Sequence, residues 1–223
     1  MKEFQKDGKN SQAYAWRACA IGQGLTRGFL DDNPERNWAL AKESVEKAMQ
    51  LNDNDFECHR MLAEVSLSSH DYKSAEMHAT KCFEMVPNDP RVLSIHGEVL
   101  VRVGSVDAGL ESLERALELD PVPQGKNNSD ARISAVLFGN FMARDKDKCL
   151  TFINKMQLVD VRSWLVTAKI LDDEEVNYKS YKWFQDGLDL FQNSDWTHEV
   201  DRFHLNNDGA QIALEQFAIS LFK

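Results

Sequence analysis

Residues 72–87 read YKSAEMHATKCFEMVP and residues 106–121 read VDAGLESLERALELDP, the second stretch returning the small and apolar positions of the first after 34 residues. Stepped back once more, the register gives three sets: Ala41, Ala75 and Gly109; Ala48, Cys82 and Ala116; Asp53, Pro87 and Pro121. Met49, Phe83 and Leu117 align between them, as do Leu51, Met85 and Leu119, and the basic set Lys47, Lys81 and Arg115. A period of this length marks stacked helical hairpins, because one hairpin alone cannot bury its apolar face. The sequence describes a scaffold of repeated helix pairs.

Outward from this stretch, the hairpins continue in both directions. Residues 11–27 form a helix with a dense apolar face, ended by Gly28 and LDDNP, and 35–51 pairs with it. The loop between them belongs to a first unit nine residues longer than the period. The second hairpin spans 56–69 and 72–85 with a turn at His70 and Asp71; the third spans 91–103 and 107–119 with a turn at Gly104. Pro87, Pro90 and Pro121 stand beside helix ends, where a missing N–H does least harm. After the polar link 122–130, helices over 131–143 and 147–156 make a fourth, looser hairpin, and 161–171 with 174–191 a fifth. An apolar helix over 208–222 caps the array.

The bulk numbers fit this picture. At 223 residues, with 43% hydrophobic and 28% charged side chains, the chain buries a core without disulfides or metal. It has no apolar run of about 18 residues, and MKEFQKDGKN lacks the apolar stretch of a secretory signal, so a cytoplasmic protein without a membrane partner is expected. Cys19, Cys58, Cys82 and Cys149 form no CxxC pair and sit in apolar helical patterns, as buried reduced thiols do. A net charge of −10 speaks against nucleic acid as a partner, and residues 160–223 hold 12 acidic against 6 basic side chains.

Over residues 11–156 the chain resembles the tetratricopeptide repeat family, carried by Trp16 with Cys19 and Ala20, Leu62 with Ala63, Gly97, then Ala75, Ala79 and Cys82, and the closing phrases QLND, EMVP and ELDP. The resemblance implies an all-α fold, an α-α superhelix: a TPR-like solenoid of about five hairpins plus a C-terminal capping helix. It divides the chain into a tail of a preceding segment over 1–10, three repeat units over 11–121, and degenerate hairpins with the cap over 122–223. The order of a long-looped first hairpin, clean repeats ending in ERALELDP and a looser helical tail is also similar to the region that follows the catalytic domain of bacterial class III adenylate cyclases. None of the cyclase's own nucleotide- or metal-binding residues can be placed in this chain.

No catalytic machinery is legible. The six histidines show no HExxH, no HxH and no metal spacing with cysteine, so no metal ligands or cofactors are expected. Asp31–Asp32 and 172–175 fall at turns and helix starts, where negative charge favours the helix dipole. Phosphate loops and nucleophile elbows are absent from the sequence, and Gly22 and Gly24 form an isolated GxG within a helix. A non-enzymatic role follows.

In arrays of the resembled type, the first helix of each pair lines the concave face. That places Arg17, Ile21 and Leu25, then Glu57, Arg60, Glu64 and Leu67, then Arg91, Ser94, Glu98, Val101 and Arg102 on the lining, with Ser134, Phe138, Phe141 and Met142 as an apolar shelf. Arg17, Arg60, Glu64, Arg91, Glu98, Arg102, Phe138 and Phe141 are the candidate partner-binding residues, suited to a protein or peptide segment. The lysine and asparagine set that grips a C-terminal carboxylate in chaperone-binding relatives is not matched. Two rival expectations remain: a homodimer through exposed members of Trp16, Trp38, Trp164, Trp183 and Trp196, and a small-molecule or catalytic pocket between the fourth and fifth hairpins.

Overall fold

A computed structural model describes residues 10–26, 30, 33–122 and 130–223. The expected tail over 1–10, the long loop after the first helix and the polar link 122–130 lie, apart from Asn10, Leu30, Asn33, Pro34, Val122 and Asp130, outside the described residues. Among those described there are twelve α-helices and no strand. They fall into two compact units divided after Asn88. Unit 1 holds α1 (Ser11–Thr26) with α2 (Pro34–Leu51), and α3 (Phe56–Ser68) with α4 (Tyr72–Met85). Unit 2 holds α5 (Pro90–Val103) with α6 (Val106–Leu119), α7 (Asp130–Met142) with α8 (Lys146–Ile153), α9 (Val161–Asp173) with α10 (Lys182–Phe191), and α11 (Trp196–Asp201) with α12 (Asp208–Leu221).

The repeated small residues do what the period implies. Ala41, Ala75, Ala48, Cys82 and Ala116 are fully buried, and Gly109 is buried with them. A Cβ on Gly109 would stand 2.9 Å from Val101 N and 3.0 Å from Gly97 O, and one on Gly97 would meet Gly109 O at 2.7 Å. Helices α5 and α6 therefore cross backbone against backbone, and an added methyl there forces them apart.

Helix starts are capped mainly by acids. The side chains of Asp55, Asp71, Asp89, Asp145, Asp160 and Asp195 each accept a hydrogen bond from a first-turn N–H, as do Asn33 and Asn207. Six of the 36 acidic side chains thus close helices. Helix ends also follow one pattern: His70, Gly104, Arg144, Glu175 and His204 take positive φ, between 52° and 98°. At four of these turns the next N–H donates across six residues at 2.9 Å: Asp71 to Ser66 O, Ser105 to Leu100 O, Asp145 to Asn140 O and Val176 to Leu171 O. Only one of the five positions is the glycine that such a turn favours.

The structure departs from the sequence reading in the C-terminal third. The continuous helix expected over 174–191 is broken: α9 runs on to Asp173, Glu175 turns the chain, and α10 begins only at Lys182. The break brings Tyr178 into the core, where it meets Phe184 edge-on at 4.9 Å and its hydroxyl donates to Asp172 at 3.0 Å. Helix α8 ends at Ile153, short of Met156, and α11 was not expected at all.

The core of this region is aromatic. Trp164 is fully buried, stacks on Phe184 at 5.5 Å and on Trp196 at 6.0 Å, and donates from its indole N–H to Phe184 O at 3.1 Å. Trp183 and Trp196 are also buried, whereas Trp16 stays 50% exposed. Cys58, Cys82 and Cys149 are buried, and burial pushes each thiol up to about 12, so they remain protonated and inert. Among the described residues no group of three ligating side chains gathers, and no helix is long and apolar enough to cross a membrane.

Candidate interaction surfaces

In unit 1 the inner residues come from α1 and α3. Arg17 is exposed, and no described residue pairs with its side chain. Arg60 is buried between two carboxylates, donating from Nε to Glu57 Oε2 at 2.9 Å and from Nη1 to Glu64 Oε1 at 2.5 Å. Burial alone would lower its pKa; Glu64 and Glu57 outweigh that and raise it, so the guanidinium keeps its charge. Glu64 uses one oxygen on this pair while its side chain stays 41% exposed, a carboxylate held in place and open to a partner.

Where α3 meets α4, His59 and His78 approach through their Nδ1 atoms at 2.9 Å. His59 Nε2 lies 3.0 Å from the Asp53 carbonyl, which only accepts, so the His59 proton sits on Nε2 and its Nδ1 accepts from His78. The pair has room for one hydrogen between the rings, and burial with His59 beside it holds the His78 pKa below its usual value.

In unit 2 the inner face is a continuous polar network on three first helices. Glu98 of α5 pairs with Arg102 on its own helix and, at 3.3 Å, with Arg162 of α9. Burial would raise the Glu98 carboxyl from its usual 4.5, but Arg162 and Arg102 overcome it and hold it at about 2. Arg162 also donates to Ser134 Oγ, Ser134 and Ser163 share a 3.0 Å hydrogen bond, and Arg102 Nε donates to Phe203 O. Both guanidiniums lie over the Phe138 ring, Arg102 at 4.4 Å and Arg162 at 5.0 Å from its centre, and Phe138 is only 1% exposed. The expected shelf is thus part of the core: α9 and its neighbours cover Phe138, and Phe141, 6.3 Å away, keeps part of its surface open. Arg91 is half exposed and pairs with Asp89 at 2.6 Å.

Sequence reasoning passed over Arg132 and Arg162, yet a signal for them exists. The triplet Asp-x-Arg stands at the head of α5, α7 and α9, as Asp89–Arg91, Asp130–Arg132 and Asp160–Arg162. Asp89 and Asp160 cap their helices, while Asp130 accepts from the N–H groups of Gln157 and Leu158 at 2.9 and 2.7 Å. The arginine two residues on turns along the inner face: Arg132 donates to Ser94 and, at 3.2 Å, pairs with Asp120.

With this geometry in hand, the likeness to known proteins falls in place. No family model matches the sequence. U-box domain-containing protein 70 of Oryza sativa subsp. japonica is 28% identical over 81 residues, which is 36% of this chain and 10% of that protein, so the chain spans about a tenth of the relative's length. Among solved structures, the chain is similar to PilF of Pseudomonas aeruginosa, a protein containing tetratricopeptide repeats, with a TM-score of 0.57 at 17% identity over 95% of this chain and 90% of that one. The likeness is one of fold: this is an all-α, tetratricopeptide-like array of helical hairpins.

Proposed function

We propose that the chain is a non-catalytic protein-interaction module in which the first helices of each unit recognise protein segments of mixed charge through their inner faces. The observation that carries the reading is the state of the inner charges: Glu64 is 41% exposed while fixed by Arg60, and Arg91 is 42% exposed while fixed by Asp89. Charges already held by neighbours lose little freedom on binding, which is how a preorganised surface gains affinity. In this reading Arg17 and Glu64 make the contacts of unit 1, framed by the buried Arg60, and Arg91 with the open edge of Phe141 makes those of unit 2, framed by Arg102, Phe138 and the partly exposed Glu98. The finer expectation, a regulatory segment of a larger bacterial signalling protein such as an adenylate cyclase, rests on the resemblance of element order alone.

The test compares the chain with the triple variant Arg17→Glu, Glu64→Lys, Arg91→Glu in crosslinking capture from cells, with thermal melting as the control. The expected result is a protein partner retained by the original chain and reduced at least about tenfold with the variant, at an unchanged melting temperature. Equal capture by both chains, or no protein enriched by either, overturns the reading.

A further inference from the structure

Unit 2 contains a cleft that shares Phe141 and Arg102 with the interaction surface and is otherwise separate from it. It lies where the C-terminal ends of α5 and α7 and the last turn of α9 face the first turns of α12, and its volume is about 370 Å³. Val101, Phe141, Met142, Ile170 and Leu214 form apolar walls. On the α12 side the lining is Ala210 and Ala213, both exposed, where larger side chains would close the space. The volume is at the low end of the ~300–1,000 Å³ of small-molecule sites, and mostly apolar walls with a few polar groups at the rim are their usual composition.

The rim is cationic. Lys169 pairs with Asp173 and lies 5.6 Å over the Phe217 ring, so its charge is largely met. Arg144 differs: it is exposed, and no described carboxylate pairs with it. It also sits at φ 59°, in the turn position that is Gly104 one hairpin earlier. His70, Glu175 and His204 hold the same left-handed conformation, so what sets Arg144 apart is its place at the mouth of the cleft. An apolar cleft and, at its mouth, an arginine with no carboxylate partner among the described residues call for one ligand chemistry.

We infer that the cleft binds a small aliphatic carboxylate of about eight to ten carbons, with the chain between Phe141, Ile170 and Leu214 and the carboxylate on the Arg144 guanidinium. The protein's net charge of −10 opposes approach of an anion only at long range, which salt screens beyond about 8 Å at physiological strength. Inside the cleft, burial of the chain and the paired hydrogen bonds of a guanidinium decide the outcome.

The probe is decanoate below its micellar concentration, titrated against the full chain by calorimetry and thermal shift, with decyltrimethylammonium as the charge control. Decanoate is expected to saturate one site and raise the melting temperature, and the ammonium to do neither. Arg144→Gly is the decisive variant: it relieves the turn, so the ligand-free protein melts higher, while decanoate affinity falls at least about tenfold. Ala213→Leu, at an exposed position, fills the cleft and also removes binding. Equal shifts with the ammonium, or an unchanged decanoate affinity in either Arg144→Gly or Ala213→Leu, overturns the inference. Capture of a protein partner takes no part in these measurements, so the two readings fail separately.

Discussion

The hairpin α5/α6 and the hairpin α9/α10 bring two helices close by opposite means. In the first, Gly97 and Gly109 remove side chains so that backbone meets backbone. In the second, Gly187 makes room for a side chain: a Cβ there would overlap the Trp164 indole, which fills the crossing and is held by Phe184 O. Backbone contact repeats wherever the helix geometry repeats, so it writes a period of 34 into the sequence. An indole fills one particular space, so the same architecture continues past residue 160 without the period.

That contrast can be broken from either side. The largest effect is expected for Gly187→Ala, because the stacked Trp164 cannot move without disrupting Phe184 and Trp196; chemical denaturation should show a loss of more than about 3 kcal/mol. Glu98→Gln leaves Arg102 and Arg162, both over Phe138, without their shared carboxylate, at a cost on the order of 2 to 3 kcal/mol. The same pairing has a pH signature. Because the folded carboxyl is held at about 2 against a usual 4.5, its stabilisation is complete above about pH 4.5 and is lost as pH falls toward 2. Melting curves of Glu98→Gln should lack this limb.

Gly109→Ala, on the backbone side of the comparison, should cost about 1 to 3 kcal/mol, less than the change under Trp164. A smaller effect separates mild acid from neutral pH. His78, half-buried beside His59, and His96, buried and 3.0 Å from Ser112 Oγ, both have pKa values lowered in the fold. The unfolded chain takes up protons near the usual 6.5 while the folded one resists, so stability is full above about pH 7 and declines as pH drops below about 6.5. The decline should stay under about 1 kcal/mol for each histidine, and His78→Gln should flatten part of it. The smallest change is a gain: Glu175→Gly, in a turn that takes φ 54°, should raise stability by about 0.5 to 1 kcal/mol in thermal melts.

The sequence disclosed most where local rules govern. Helices α3 to α7 lie within a residue or so of their expected bounds, since prolines, capping aspartates and the small-residue register all mark them. The break after Asp173 was not legible, because it serves Tyr178, whose place depends on the distant Phe184. The inner face was legible as a set of positions and less so as a state. Whether Phe138 stands open or covered is decided by α9, and the Asp-x-Arg triplets reveal a partner for Glu98 only when three helices are compared.

The buried cysteines are distributed so that each unit carries its own: Cys58 and Cys82 before Asn88, Cys149 after it. A thiol at 0% exposure with its pKa near 12 reacts with an alkylating reagent only when the helices around it separate. Labelling rates at Cys149, set against those at Cys58 and Cys82, therefore read the opening frequency of one half of the molecule independently of the other, with no engineered probe.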